Sequence, residues 1–174
     1  HHTLAAGQYD EARTLFRDRI HNATYYQFGA YQLRIELLRG LFPDGEEKPP
    51  RLKDESAQGW TLNALANSYS LSGQPRRAVP LSEMAIGIGE KQGDKNNLAI
   101  RLGNLADDQA KLGALRAAEA NLRRRIELCR EIGNEFNEAV GHQELGRLLA
   151  YRGAWEEAEG ELDAALVIKV WRDN

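Results

Sequence analysis

A 40-residue internal period constrains the fold of this chain more than any other feature of its sequence. Glycines recur at this spacing, and an alanine follows each of them five residues later: Gly73, Gly113 and Gly153, with Ala78, Ala118 and Ala158. Leucines at 65, 105 and 145 keep the same spacing. A fixed period of this length is typical of stacked supersecondary units, each of which buries its apolar face against its neighbours.

Each unit reads as two helices joined by a short turn. Leu62, Leu65, Ala66 and Tyr69 fall at i, i+3, i+4 and i+7, which is one face of a helix. Gly73 then interrupts the pattern, as a residue that accepts a positive φ does beyond a helix end. Pro75 follows where the first helical turn tolerates a missing N–H.

The recurring small residues indicate a close approach between the two helices of each unit. Alanine in the first turn of the second helix is predicted to face Ala66, Ala106 or Gly146 on the first helix. The second helices are predicted to end at Gly93 and Gly133, and Asp94 and Asn134 can cap the helices that follow. We therefore predict an all-α fold of stacked antiparallel helix pairs.

The N-terminal third of the sequence is less regular. Gly7 and Ala12 repeat the turn signature, so a second helix of a repeat is expected near the start of the chain, and one aromatic-rich helix is expected from about Ala23 to Leu41. The segment that follows contains three prolines, which no continuous helix crosses. We interpret residues 43–54 as a surface loop; alternatively, the loop covers the inner face of the array.

These patterns resemble the tetratricopeptide repeat (TPR) family. The resemblance is carried by the Leu-Ala or Leu-Gly pairs, Tyr69, the turn glycines and the alanines that follow them, and it covers residues 56–171. The period is longer than the usual length of about 34 residues, and His142 stands where a large apolar residue is expected. The closest form is a 40-residue variant known from scaffold proteins and from sensor arms of bacterial signal-transduction ATPases. The resemblance implies a right-handed α-solenoid.

The repeats define the expected organisation of the chain. Residues 1–55 form a partial, degenerate repeat, and residues 56–174 contain three regular repeats at 56–94, 95–134 and 135–174. Val167, Val170 and Trp171 leave an apolar end, whereas a solenoid normally finishes in a polar capping helix. We expect either a fragment of a longer array or a homo-oligomer formed through the uncapped ends.

Composition limits the classes of partner. The formal net charge is -3, so no overall basic field favours nucleic acid, and no apolar segment approaches the roughly 20 residues that span a membrane. The only cysteine, Cys129, lies in an apolar-periodic run and is expected to be buried. A single thiol fits a reducing compartment, and we expect a cytoplasmic protein.

No catalytic signature is present, so we expect neither an enzyme nor a cofactor or metal site. His142 is interpreted as a helix-packing residue, and Trp155 is expected to pack on the preceding helix. Arg123, Arg124 and Arg125 are interpreted as a solvated charged face.

The inner face of the array is the predicted binding site. In stacked helix pairs the first helices line the concave groove, and residues not used for packing project into it. Amide side chains there can donate to and accept from a peptide backbone. The four groove charges cancel, so no dedicated clamp for an acidic tail is predicted. The candidate groove residues are Trp60, Asn63, Asn67, Asn104, Asp107, Lys111, Gln143, Glu144, Arg147 and Tyr151.

These features favour a non-catalytic module that binds a peptide or partner domain, within a larger bacterial regulatory protein. Two alternatives remain: the ligand-sensing arm of a signal-transduction ATPase, and a self-associating scaffold.

Overall fold

The computed structural model describes residues 2–172, with side chains from Thr3 to Ile168. The described residues form helices, turns and loops without strands, and the chain divides between Gln92 and Gly93 into two compact units. The first unit contains α1 (His2–Ala5), α2 (Tyr9–Leu15), two π-helical turns (Phe16–Ile20 and Ala23–Gln27), α3 (Tyr31–Arg39), α4 (Glu55–Leu71) and α5 (Pro75–Gln92). The second contains α6 (Lys95–Lys111), α7 (Leu115–Glu131), α8 (Glu135–Tyr151) and α9 (Trp155–Arg172). The predicted all-α architecture of antiparallel helix pairs is confirmed.

The helix pairs turn at the predicted glycines. Gly73, Gly113 and Gly153 have φ between 77° and 79°, a region that only glycine enters without strain. At each turn the next N–H donates to the carbonyl five residues earlier, as from Ala114 to Gln109 at 2.9 Å. This pattern ends one helix and reverses the chain.

Side-chain caps set the starts of the first helices. Asp54, Asp94 and Asn134 accept hydrogen bonds from the backbone N–H groups three residues later, at 2.6, 3.1 and 3.1 Å. Each cap satisfies an N–H group that has no partner inside the helix. Helices α4, α6 and α8 therefore begin 40 residues apart, at Glu55, Lys95 and Glu135.

Small residues do bring the paired helices together. Ala78, Ala118 and Ala158 are buried. A Cβ on Gly146 would lie 2.8 Å from Leu162 Cγ and 3.0 Å from the Ala158 carbonyl oxygen. Glycine at 146 is therefore a packing requirement of the α8–α9 pair.

The aromatic-rich segment of the first unit is not the single helix that we expected. The second π-helical turn ends at Gln27, Gly29 adopts φ 57°, and α3 begins only at Tyr31. The buried guanidinium of Arg34 accounts for the distortion, because its Nη1 donates to the His21 carbonyl and the Thr24 hydroxyl at 3.1 and 3.2 Å. Both acceptors lie in the segment where the helix is widened.

The Pro-rich loop is anchored to the first unit by one carboxylate. Glu46 accepts a hydrogen bond from the Tyr69 hydroxyl at 2.7 Å and pairs with Arg39 at 2.8 Å and Arg77 at 2.9 Å. Phe42 and Leu52 are buried in the core. The loop is thus fixed at the end of α4 and the start of α5.

The burial of individual side chains tests three predictions made from the sequence. Cys129 and His142 are buried as predicted. Trp155 is 69% exposed, so the prediction that it packs on the preceding helix is wrong. The side chains of Val170 and Trp171 lie outside the described residues.

Candidate functional site

Five predicted groove residues come together in the second unit. They line a cleft of about 450 Å³ between α6, α7 and α8: Asp107, Lys111, Glu144, Arg147 and Tyr151. Successive turns of α6 supply the first two, and α8 supplies the other three at intervals of three and four residues, which places them on one helical face. The 40-residue repeat thus presents equivalent faces of two helices to one cleft.

The floor of this cleft is apolar. It is formed by side chains from all three helices: Ala106, Ala110, Leu115, Leu122 and Leu148. Leu122 and Leu148 also belong to the core of this unit, which fixes the floor in place. A shallow apolar floor under a polar rim is the usual make-up of a recognition cleft.

Three of the four charged rim residues, Asp107, Lys111 and Glu144, form ion pairs within the chain. Lys111 Nζ lies 2.7 Å from Asp107 Oδ2, and Arg125 Nη1 donates to Glu144 Oε2 at 2.5 Å. Burial raises the pKa of Glu144, while the charges of Arg125 and Arg147 act in the opposite direction. The cleft is therefore not the electrically neutral surface that the sum of its charges indicated.

Arg147 is the charged residue of the rim that is not paired within the described part of the chain. It is exposed, and it forms no hydrogen bond or ion pair with the described part of the chain. Tyr151 lies one turn further along α8 and is 81% exposed. A guanidinium and an aromatic ring beside an apolar floor can together hold a carboxylate and an apolar side chain.

Arg125 is the residue of this site that the sequence interpretation missed. Its side chain is 7% exposed rather than solvated, unlike the exposed Arg123 and Arg124, so the prediction of a solvated arginine run is wrong at this position. A Cβ on Gly103 would overlap the Arg125 guanidinium, so this glycine makes the space for it. Gly103 inside the helical pattern of α6 was the available signal.

The other predicted groove residues lie elsewhere. Trp60 is half-buried in the first unit, where its ring lies 6.3 Å from Phe16 and 5.2 Å from His21. Asn63 and Asn67 are half-buried on α4, and Asn104 is half-buried on α6. Gln143 is exposed on α8 and lines a different hollow, between α8 and α9.

His142 belongs to a charged network rather than to an open site. Its Nδ1 lies 2.5 Å from Glu161 Oε2, and its Nε2 lies 2.8 Å from Arg130 Nη2. Among the described residues, no group of three or more His, Cys, Asp or Glu side chains is arranged to hold a metal ion. None of the helices in that part of the chain is long and apolar enough to cross a membrane.

Comparison with solved structures supports the fold. BtubC (BKLC) from P. vanneervenii superposes with a TM-score of 0.71 at 20% identity, over 96% of this chain and 72% of that chain. A Podosopora anserina structure described by its nearly identical TPR-like repeats gives a TM-score of 0.47 at 17% identity, over 99% of this chain and 98% of that one. No family model matches the sequence, and no curated protein matches it. The superposition on BtubC supports the predicted helical repeat fold, and similarity at this level of identity concerns the fold alone. The resemblance to the 40-residue variant of the TPR stays a prediction.

Proposed function

We propose that this chain is a non-catalytic protein-interaction module that binds a peptide segment of a partner in the cleft between α6, α7 and α8. The observation that carries this proposal is the exposed Arg147, which has no ion-pair partner in the described chain and stands at the rim of an apolar floor. Desolvating such a cation becomes favourable when a ligand supplies the missing carboxylate.

The chemistry of the cleft defines the segment that it would accept. A large apolar side chain would cover Leu115, Leu122 and Leu148, and an aspartate or glutamate beside it would pair with Arg147. Tyr151 would pack over the bound segment, since aromatic residues contribute large contact areas at little entropic cost. Lys111 contributes less, because Asp107 already neutralises it.

Selection from a random peptide library against the full chain tests this proposal. We expect the selected peptides to contain an apolar residue next to an acidic one. Arg147→Glu should weaken their affinity about tenfold or more, because it replaces the pairing cation with a charge that repels the acidic residue of the peptide. Arg116→Glu is the matched control, since Arg116 is an exposed arginine on α7 outside the cleft. It should leave the affinity within about twofold.

Equal affinities for the parent chain and the Arg147→Glu variant would exclude the cleft as the site. Selected peptides without an acidic residue would keep the cleft but reject the role of Arg147. Both variants must first show the helical circular dichroism of the parent chain.

We also propose that the module acts in the cytoplasm as part of a larger regulatory protein. The one cysteine of the chain is a buried thiol, which suits a reducing compartment. The resemblance to sensor arms of bacterial signal-transduction ATPases supports the regulatory role. A P-loop domain in the same polypeptide would favour the sensor arm over a simple scaffold.

A further inference from the structure

The second unit has an exposed apolar hollow outside the cleft. It lies between α8 and α9, measures about 480 Å³, and is called here the α8–α9 surface. Phe136, Leu162 and Leu166 line it and are 58%, 40% and 60% exposed. An exposed apolar hollow of this kind marks an interaction surface.

The preceding repeat contains the same surface with a helix seated on it. Forty residues before Leu166 is Ile126, whose Cγ1 would lie 2.8 Å from a Cβ on Gly141 of α8. Forty residues before Ala165 is Arg125, which pairs with Glu144 of α8. The surface of α6 and α7 that is equivalent to the α8–α9 surface is therefore covered by α8. This internal template indicates the shape of a helix that the α8–α9 surface can accept.

The α8–α9 surface differs from the equivalent surface of the preceding repeat at three positions. These differences determine which side chains a helix bound there must carry. Ala165 replaces Arg125, so the guanidinium that pairs with the carboxylate of Glu144 has no counterpart at this position. Gln143 replaces Gly103, which made the space for that arginine. Phe136 replaces Asn96, whose side chain accepts a hydrogen bond from the N-cap Asn134 at 2.8 Å. The occupant must consequently present a large apolar side chain where α8 presents Glu144.

Carboxylates surround the α8–α9 surface. Glu135 lines it, and Glu159 and Asp163 each precede an apolar lining residue by three positions on α9, which places them beside the same stripe. These three acidic side chains form no ion pair within the described part of the chain. The described part of the rim is therefore negative, and a basic occupant is favoured.

We propose that the α8–α9 surface binds a basic amphipathic helix of a partner protein. The helix carries a small residue against Leu166, a large aliphatic residue three positions later over Ala165, and lysine or arginine along its flanks. This spacing is that of Gly141 and Glu144 in α8, with the acidic residue replaced by an apolar one. The proposal is independent of the peptide cleft.

Two helical peptides test the proposal with the full chain. Both copy residues 134–151, are crosslinked between the exposed positions 143 and 147, and carry lysine at 135 and 138. They differ only at position 144, which is leucine in one and glutamate in the other. We expect the leucine peptide to bind at least about tenfold more tightly. Leu166→Glu should abolish this binding, whereas Phe28→Glu, at another exposed apolar residue, should not change it.

A variant that is expected to gain a new preference provides a second test, because a misfolded chain would lose binding rather than change its preference. The double variant Gln143→Gly with Ala165→Arg rebuilds the Arg125 and Gly103 arrangement, so it should reverse the preference and select the glutamate peptide. Equal affinities of the two peptides for the parent chain, or an unchanged preference in the folded double variant, would overturn the proposal. Dimerisation that Leu166→Glu abolishes, without peptide binding, would assign the surface to a second copy instead.

Discussion

Arg125 Nη1 and Glu144 Oε2 lie 2.5 Å apart and connect α7 to α8 at the edge of the cleft. The arginine is buried, and its Nε has no hydrogen-bond partner in the described chain. The glutamate is 29% exposed and supplies the only carboxylate bonded to that guanidinium in the described residues. The pair therefore fixes the orientation of two repeats at a desolvation cost.

We predict that Glu144→Gln destabilises the chain by roughly 1–3 kcal/mol, because it leaves the buried Arg125 without a counter-charge. The double variant Arg125→Met with Glu144→Leu should recover most of this loss, since apolar side chains of similar size often replace a buried ion pair without net cost. Urea unfolding followed by circular dichroism measures both free energies. If the double variant is less stable than Glu144→Gln, the pair contributes stability beyond the cost of the uncompensated charge.

Substitution of Gly103 is expected to destabilise the chain, because the buried Arg125 guanidinium occupies the space of its missing side chain. We expect Gly103→Ala to destabilise the chain by about 1–3 kcal/mol through overpacking. Gly160→Ala is the control, and it should change the stability in the opposite direction. A Cβ at Gly160 meets nothing within 4 Å, so this substitution should stabilise α9 by about 0.4–1 kcal/mol. The two unfolding midpoints, measured in urea, should move in opposite directions. A shift of both midpoints in the same direction would mean that Arg125 is not held as described.

The regular repeats could be predicted from sequence because their signals are local. Turn glycines, cap residues and helical periodicity act within a few positions, and the structure contains the turns at Gly73, Gly113 and Gly153 where they were expected. The N-terminal segment could not be predicted in this way. Its π-helical turns depend on the buried guanidinium of Arg34, which reaches His21 across 13 residues.

The candidate site was predictable only in part, for a similar reason. Helical periodicity selected the faces of α6 and α8 that carry Asp107 and Arg147, and both residues line the cleft. Periodicity could not show that Arg125 is buried, because a run of three arginines looks solvated unless the partner Glu144 and the space at Gly103 are known. Pairing across helices is a tertiary property, and it decides which charges remain available to a ligand.

His21 should make the stability of the chain depend on pH. Burial and the neighbouring Arg34 lower the pKa of His21, whose Nδ1 lies 3.1 Å from Arg34 Nη1. Tyr25, Tyr26, Phe16 and Trp60 surround the ring and supply no carboxylate. The folded chain therefore favours the neutral imidazole, and stability should fall as the pH decreases below the unfolded-state value of about 6.5.

A difference measurement isolates the contribution of His21. His21→Gln keeps an acceptor for Arg34 but does not titrate, and all other groups are common to both chains. We expect the free energy of unfolding of the parent chain to fall relative to that of the variant between pH 7.5 and pH 5.5. Parallel pH profiles for the two chains would show that His21 titrates with the same pKa in the folded and unfolded states.

The hydrogen bond between Tyr69 and Glu46 should control the mobility of the Pro-rich loop. Tyr69→Phe removes the hydroxyl that donates to Glu46 at 2.7 Å, and we expect a loss of about 0.5–1.5 kcal/mol in the anchoring of the loop. Trypsin cleavage after Arg51, which directly follows the two prolines, should accelerate several-fold, because proteolysis requires local opening. Tyr26→Phe is the control, since the Tyr26 side chain is 74% exposed. If cleavage of Tyr69→Phe matches that of the parent chain, the ion pairs of Glu46 with Arg39 and Arg77 suffice to anchor the loop.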